Sequence, residues 1–189
     1  MNLNNTLNCL GIILGIALYI PLMNGILRDK IEQSFATWML WVLLDLIALI
    51  SIIFQSGNYG VLICYVIGGT TVCVALIYKR QFTWTWFEWL VLGLIIICLS
   101  LWSIYGSRMA TISSTLAVVI AGLPQIKDSW KKPDRPTSFI YLGYTVVNTL
   151  FFFGGKTWSI EERFYPGCMI GLCLVITLVA FREDKPSTP

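Results

Sequence analysis

Seven blocks of apolar residues, each near twenty residues long and set apart by short charged stretches, are the feature that most limits what this chain can become. About twenty residues of α-helix cross the roughly 30 Å hydrocarbon layer of a bilayer. In lipid each backbone N–H and C=O must be paired within its own segment, so every block is expected as a helix. The blocks lie at roughly 7–27, 37–55, 59–78, 87–105, 108–126, 137–154 and 163–181. The fifth is the least apolar, diluted by Thr111, Ser113, Ser114 and Thr115. Such small hydroxyl residues suit a helix packed inside a bundle; six spans is the reading if this block does not cross. Composition points the same way. The chain is 57% hydrophobic and 12% charged, where a soluble domain carries about 25% charged residues.

The expected class is therefore an all-α integral membrane protein. Residues 1–6 are polar but hold no Lys or Arg, and no cleavage site is clear. The first block accordingly reads as a permanent span rather than a secretory leader. The six cysteines (9, 64, 73, 98, 168 and 173) all fall inside apolar blocks and read as small packing residues. No CxxC or Cys/His spacing supports a metal site, and neither metal nor cofactor is expected. The chain has no histidine, which removes His-based catalysis and His-based metal binding. A net charge of +3 is too small to suggest nucleic-acid binding and fits loop orientation better.

Orientation follows from the basic residues. With seven spans and the N-terminus outside, the inner segments hold Arg28, Lys30, Lys79, Arg80, Lys127, Lys131, Lys132, Arg135, Arg182 and Lys185. The outer segments hold only Arg108, Lys156 and Arg163. This bias predicts a multi-pass chain with its N-terminus outside or lumenal and its C-terminus in the cytoplasm. It also explains the cluster at Lys127–Arg135 without invoking anionic lipid. Trp84, Trp86 and Trp89 at the start of the fourth span, Trp102 near its end, and Trp158 read as an interfacial belt.

Two stretches repeat. Tyr19-Ile20-Pro21-Leu22, a short basic loop and Ser34-Phe35 are echoed by Gly122-Leu123-Pro124-Gln125, a short basic loop and Ser138-Phe139. Gly68 and Gly171 keep the same offset as the two prolines. The expected plan is two parallel three-helix repeats (1–78 and 108–182) joined by a linker helix (79–107), with a cytoplasmic tail at 183–189. Repeats of this kind mark transporters whose site lies near the midplane between the halves.

The Gly122-Leu123-Pro124-Gln125 segment with its basic loop resembles the proline–glutamine loop of the PQ-loop superfamily, which includes the SWEET sugar carriers and the lysosomal amino-acid exporters related to cystinosin. In the first copy the motif is degenerate, Pro21-Leu22. Leu43-Leu44-Asp45-Leu46 is similar to the Leu-Leu-Asp-Phe segment of the cystinosin-like, proton-coupled branch, where it follows the second loop instead of the first. The resemblance implies the three–one–three plan and a proton-coupling role for Asp45. The SWEET likeness is weaker: spans 3 and 7 hold no asparagine, and spans 2 and 6 no proline.

Asp45 lies about 11 residues beyond Ser34, roughly 16 Å along a helix and so near the midplane. A charged Asp there costs on the order of 2.5–3.5 kcal/mol on insertion scales, and nothing structural obliges the chain to carry one. A carboxylate out of water exchanges a proton nearer neutral pH. Its expected roles are proton coupling or pairing with a cationic solute, against a purely structural hydrogen bond to a neighbouring helix. Ser34, Trp38, Trp41 and Asp45 form one helical stripe, and Ser138, Tyr141, Thr145 and Asn148 another. The two stripes are expected to face each other, with Asn148 as polar partner for substrate or Asp45. Tryptophan faces suit an ammonium. Pro21 and Pro124 interrupt the backbone ladder and read as hinges of an inner gate, with Gln125 at its mouth. Gly68, Gly69, Gly167 and Gly171 are expected to allow close helix approach.

These residues favour a secondary transporter of a small polar solute, an amino acid or a cationic metabolite. Its expected partners are the solute, protons and the bilayer, with self-association left open. A SWEET-like sugar uniporter and a receptor that moves nothing are the alternatives. An enzyme is not expected: no second mid-span carboxylate stands near Asp45 for two-carboxylate chemistry, and the last span has no lysine to hold retinal.

Overall fold

The computed structural model describes residues 2–28, 35–80 and 86–182. Ser34, Trp84, Lys30 and Lys185 lie outside the described residues. Eight helices follow one another: α1 (Leu3–Leu27), α2 (Phe35–Phe54), α3 (Gly60–Tyr78), α4 (Trp86–Tyr105), α5 (Ser107–Ala121), α6 (Leu123–Lys131), α7 (Arg135–Gly154) and α8 (Ile160–Ala180). Among the described residues, seven stretches are long and apolar enough to cross a membrane, with α5 and α6 together making the fifth. Among the described residues there is no strand. The chain is thus an all-helical protein built like a multi-pass membrane protein.

Which helices touch follows from which faces are small or flat. α1 buries Gly11, Gly15, Tyr19, Leu22 and Ile26, one stripe at helical spacing, and lies against α3 and α7. Phe151 of α7 is fully buried and rests on Gly11 of α1 and Gly60 of α3, where a Cβ would stand 2.8 Å from its ring. α2 packs on α3, α5 and α4. α5 turns a face of small residues inward, including Ala110, Thr111, Ser114 and Ala117. The Thr111, Ser114 and Thr115 hydroxyls donate to carbonyls one turn back in their own helix. Their polarity is met locally, so the helix can sit in the interior, as the sequence suggested. α8 packs on α7 and α5. α4 lies at the edge of the bundle, against α5 and α2.

The turns carry their own signatures. Gly106 joins α4 to α5 at φ 80°, a conformation that glycine adopts without strain. Asp134 caps α7, its Oδ2 accepting from Thr137 N at 3.0 Å. Pro21 stands inside α1 and Pro166 inside α8, whereas Pro124 occupies the first turn of α6. The two repeat prolines therefore differ in setting. In the fifth span α5 ends at Ala121 and the chain resumes as α6 at Leu123, so the interruption expected at Pro124 is a break between two helices at Gly122. The other boundaries fall within a few residues of expectation.

Trp86, Trp89 and Trp158 are exposed, while Trp102 is half-buried with its ring edge-on to Phe54. Of the four glycines expected to allow close approach, Gly68 abuts the Tyr19 ring, Gly69 abuts Val42 and Gly167 lies near Phe152. Gly171 is the exception, with nothing within 4 Å of where its Cβ would stand.

Candidate functional site

Asp45 is the eleventh residue of the twenty in α2, so the helix places its carboxylate at mid-length. It is 6% exposed. Its partner is Tyr165 of α8, whose hydroxyl donates to Asp45 Oδ1 at 2.5 Å. That partner was not expected from sequence, where Asn148 was the candidate. Asn148 instead donates through Nδ2 to the Tyr65 hydroxyl and to the Tyr144 carbonyl of its own helix, at 2.7 Å for the latter.

Around Asp45 the helices leave a cavity. From α2 it is lined by Trp38 and Trp41, whose rings stand 5.3 Å apart at 78°. Tyr19 of α1, Tyr65 of α3, and Tyr141 and Tyr144 of α7 complete an aromatic wall. Tyr144 joins these rings, meeting Tyr19, Tyr65 and Tyr141 edge-on at 5.8, 5.8 and 6.0 Å. Such edge-to-face pairs hold each other's orientation. The opposite wall is aliphatic and soft, made by Val118 of α5 and by Met169, Leu172 and Ile176 of α8. The cavity measures about 60 Å³, room for roughly four to six water-sized groups if one needs about 10–15 Å³. Trp41 Nε1 and the Tyr144 hydroxyl, both on residues that line the cavity, are buried without a hydrogen-bond partner, two donors that an acceptor on a bound molecule would satisfy.

Of the residues singled out from sequence, Trp38, Trp41, Asp45 and Tyr141 converge on this cavity. Thr145 and Asn148 are not among its lining residues. Thr145 is turned about 100° from Tyr144 on the same helix, and its hydroxyl donates to Tyr141 O at 2.9 Å. Asn148 stands one turn beyond Tyr144, behind the Tyr65 ring. Ser138 bonds to Thr177 O of α8 at 3.0 Å. Of the α7 stripe only Tyr141 lines the cavity, beside Tyr144, while Ser138, Thr145 and Asn148 bond to backbone or to a neighbouring helix. Ser34 lies outside the described residues.

The two ends of the bundle differ. At the end that carries the N-terminus, asparagines tie three elements together. Asn4 donates to Gly155 O at 3.3 Å and Asn8 to Gly154 O at 3.1 Å. Asn58, between α2 and α3, donates to Asn8 Oδ1 at 2.9 Å. Arg163 ties off the α7–α8 turn, donating to the carbonyls of Phe152, Gly155 (2.9 Å) and Thr157 (2.8 Å). At the other end a second hollow shares Trp38, Tyr141 and Tyr144 with the cavity, so those three rings divide the two spaces. Gln125 lines this hollow and bonds to Ser129 Oγ at 3.2 Å. Pro21 borders a separate groove between α1 and α7.

The sequence reading missed Tyr19, Tyr65, Tyr144 and Tyr165. Tyr19 and Tyr144 are tyrosines well inside apolar spans, away from the interface where aromatic residues are common, and that depth is the signal that could have found them; Tyr65 and Tyr165 stand within the first two turns of their helices, where no such signal marks them. It also missed Glu88, a buried acid in the first turn of α4 that accepts from Thr37 Oγ1 at 3.0 Å. Among the described residues no group of His, Cys, Asp or Glu is arranged to hold a metal. Compared with known proteins, the chain matches no family model, no curated protein and no solved structure.

Proposed function

We propose that the chain is a secondary transporter of a small polar solute, an amino acid or cationic metabolite, coupled to protons through Asp45. The observation that carries this reading is the cavity itself: a single mid-span carboxylate, held by Tyr165, facing six aromatic rings between helices. Carboxylates inside membrane spans mark proton relays and ion pathways. Midplane sites between repeats are where transporters bind.

The pattern of helix packing supports the repeat. α1 and α2 each pack on α3, and α7 and the α5–α6 span each pack on α8. Across the halves, α1 lies on α7 as α2 lies on α5. These pairs match one another if the two halves are exchanged, with α4 left over as the linker, and the cavity is lined from α1, α2, α3, α5, α7 and α8. In this reading the chain follows the PQ-loop plan, with its N-terminus outside or lumenal. The asparagine lattice is then a closed outer gate, and Trp38, Tyr141, Tyr144 and Gln125 form the inner one, with Pro21 and Pro124 as hinges. A sugar carrier fits less well, because a sugar needs many polar partners and this wall is mostly ring faces.

Purified protein in liposomes, tested against a panel of amino acids, amines and sugars with pH gradients of both polarities, tests the proposal. One solute class is expected to accumulate along one polarity. Asp45→Asn keeps an oxygen for Tyr165 and is expected to abolish the dependence on pH gradient. Equal dependence in parent and variant would overturn the coupling role, and no flux of any solute would overturn transport.

A further inference from the structure

We propose that the cavity takes a small organic ammonium ion that carries no carboxylate, and that this ammonium and a proton alternate on Asp45, so that the chain exchanges one for the other. This rests on the transport reading above and narrows its solute class and mode of coupling.

The lining decides the solute class. Aromatic faces attract cations, most strongly when both are out of water, and here Trp38, Trp41, Tyr19, Tyr65, Tyr141 and Tyr144 present such surface around one acid. Among the described residues, no lysine, arginine or amide side chain lines the cavity. An α-amino acid would bring a second carboxylate beside Asp45 with no base to meet it, and like charges at close range repel. A neutral molecule could hydrogen-bond to Asp45 but would leave its charge uncompensated. The space is small, about 60 Å³ where one water needs about 10–15 Å³, which suits a compact headgroup. The Met169 thioether on the opposite wall gives soft contact for methyl groups.

The charge count decides the coupling. The titratable side chains that face Asp45 are Tyr19 on α1, Tyr65 on α3, Tyr141 and Tyr144 on α7, and Tyr165 and Cys173 on α8. Phenols and thiols are ordinarily neutral near pH 7. α5 contributes Val118, and neighbouring Gly122 lines the same side; neither titrates. On α4, Glu88 meets α2 at Thr37, eight residues and about 12 Å from Asp45. The site therefore carries one negative charge or none. A buried unpaired charge is costly. The neutral states are Asp45 protonated with no cation, or Asp45 ionised beside the ammonium. Proton and ammonium together leave an unpaired positive charge; neither leaves an unpaired negative one. When the ammonium enters, the Asp45 proton leaves to solvent, and the reverse holds when it departs.

Three probes share one shape: choline, glycine betaine, which adds a carboxylate, and 3,3-dimethylbutan-1-ol, the neutral isostere. Binding to the full-length protein is measured by calorimetry across pH, in buffers of different ionisation enthalpy. Choline is expected to bind with release of about one proton, and its affinity to fall about ten-fold per pH unit on the acid side. Betaine and the alcohol are expected to bind at least about ten-fold more weakly than choline, and Trp41→Leu to weaken choline about ten-fold while Trp41→Phe does not. Asp45→Asn is expected to lose both choline binding and proton release. Equal binding of betaine or the alcohol, or choline binding without proton release, would overturn the proposal; neither measurement needs a variant. Choline binding without flux in liposomes would sink the transport reading and leave the site standing. Flux of a sugar or zwitterion that choline does not inhibit would do the reverse.

Discussion

A methyl group on Gly68 would stand 2.0 Å from the Tyr19 ring. The ring lies close against α3 at Gly68 because no side chain intervenes, and it lines the cavity there. Gly171, the repeat counterpart, has open space around it. Gly68→Ala is therefore expected to cost about 1–3 kcal/mol, as overpacking does, and to weaken ligand binding by shifting Tyr19. Gly171→Ala is expected to stay within about 0.5 kcal/mol. Thermal unfolding in detergent compares the two, and equal losses would mean that Tyr19 is not held this way. Residue by residue, the site was only half legible in the sequence. Asp45 stood out because a charge in an apolar run is expensive, and Trp38 and Trp41 followed from their helical spacing to it. The meeting of Tyr19, Tyr65, Tyr144 and Tyr165 was not legible, because it depends on which faces of four helices come together. Thr145 and Asn148 misled because polar residues at helical spacing look alike whether they meet a cavity, their own backbone or a neighbouring ring.

At the scale of elements, legibility was far better. Apolar length alone set the seven spans, since lipid permits little else. The break at Gly122 was not legible: Pro124 satisfies the first turn of a new helix as readily as it kinks an old one. Pro21 shows the other outcome, standing within a helix that continues to Leu27. It has no N–H to give the carbonyl of Ala17, one turn back. Pro21→Ala restores that donor and is expected to stabilise the protein by about 0.5–1.5 kcal/mol. If α1 must bend during turnover, the same change slows transport. Initial rates read beside the unfolding midpoint check this, and a stabilised variant at full speed would remove Pro21 as a hinge.

At the scale of the whole molecule, asparagine side chains among the described residues tie helices together at the end that carries the N-terminus. Asn8 alone joins α1 to α7 and to the α2–α3 turn. Behind that lattice lies Cys64, fully buried and packed beside Gly15. If this end opens as a unit, Asn8→Ala releases it. With Cys64 as the sole cysteine, a small polar thiol reagent is then expected to react at least several-fold faster in Asn8→Ala than in its parent. Unchanged reactivity would mean that the lattice is not what keeps this end shut.

The indoles of Trp38 and Trp41, 5.3 Å apart and steeply inclined, have a consequence for light as well as for ligands. Two identical chromophores so close, in a fixed chiral arrangement, share their excited states. They split one absorption band into a pair of opposite sign in circularly polarised light. The wall of the cavity is thus its own optical gauge, and any occupant that tilts one indole against the other will register there without a label.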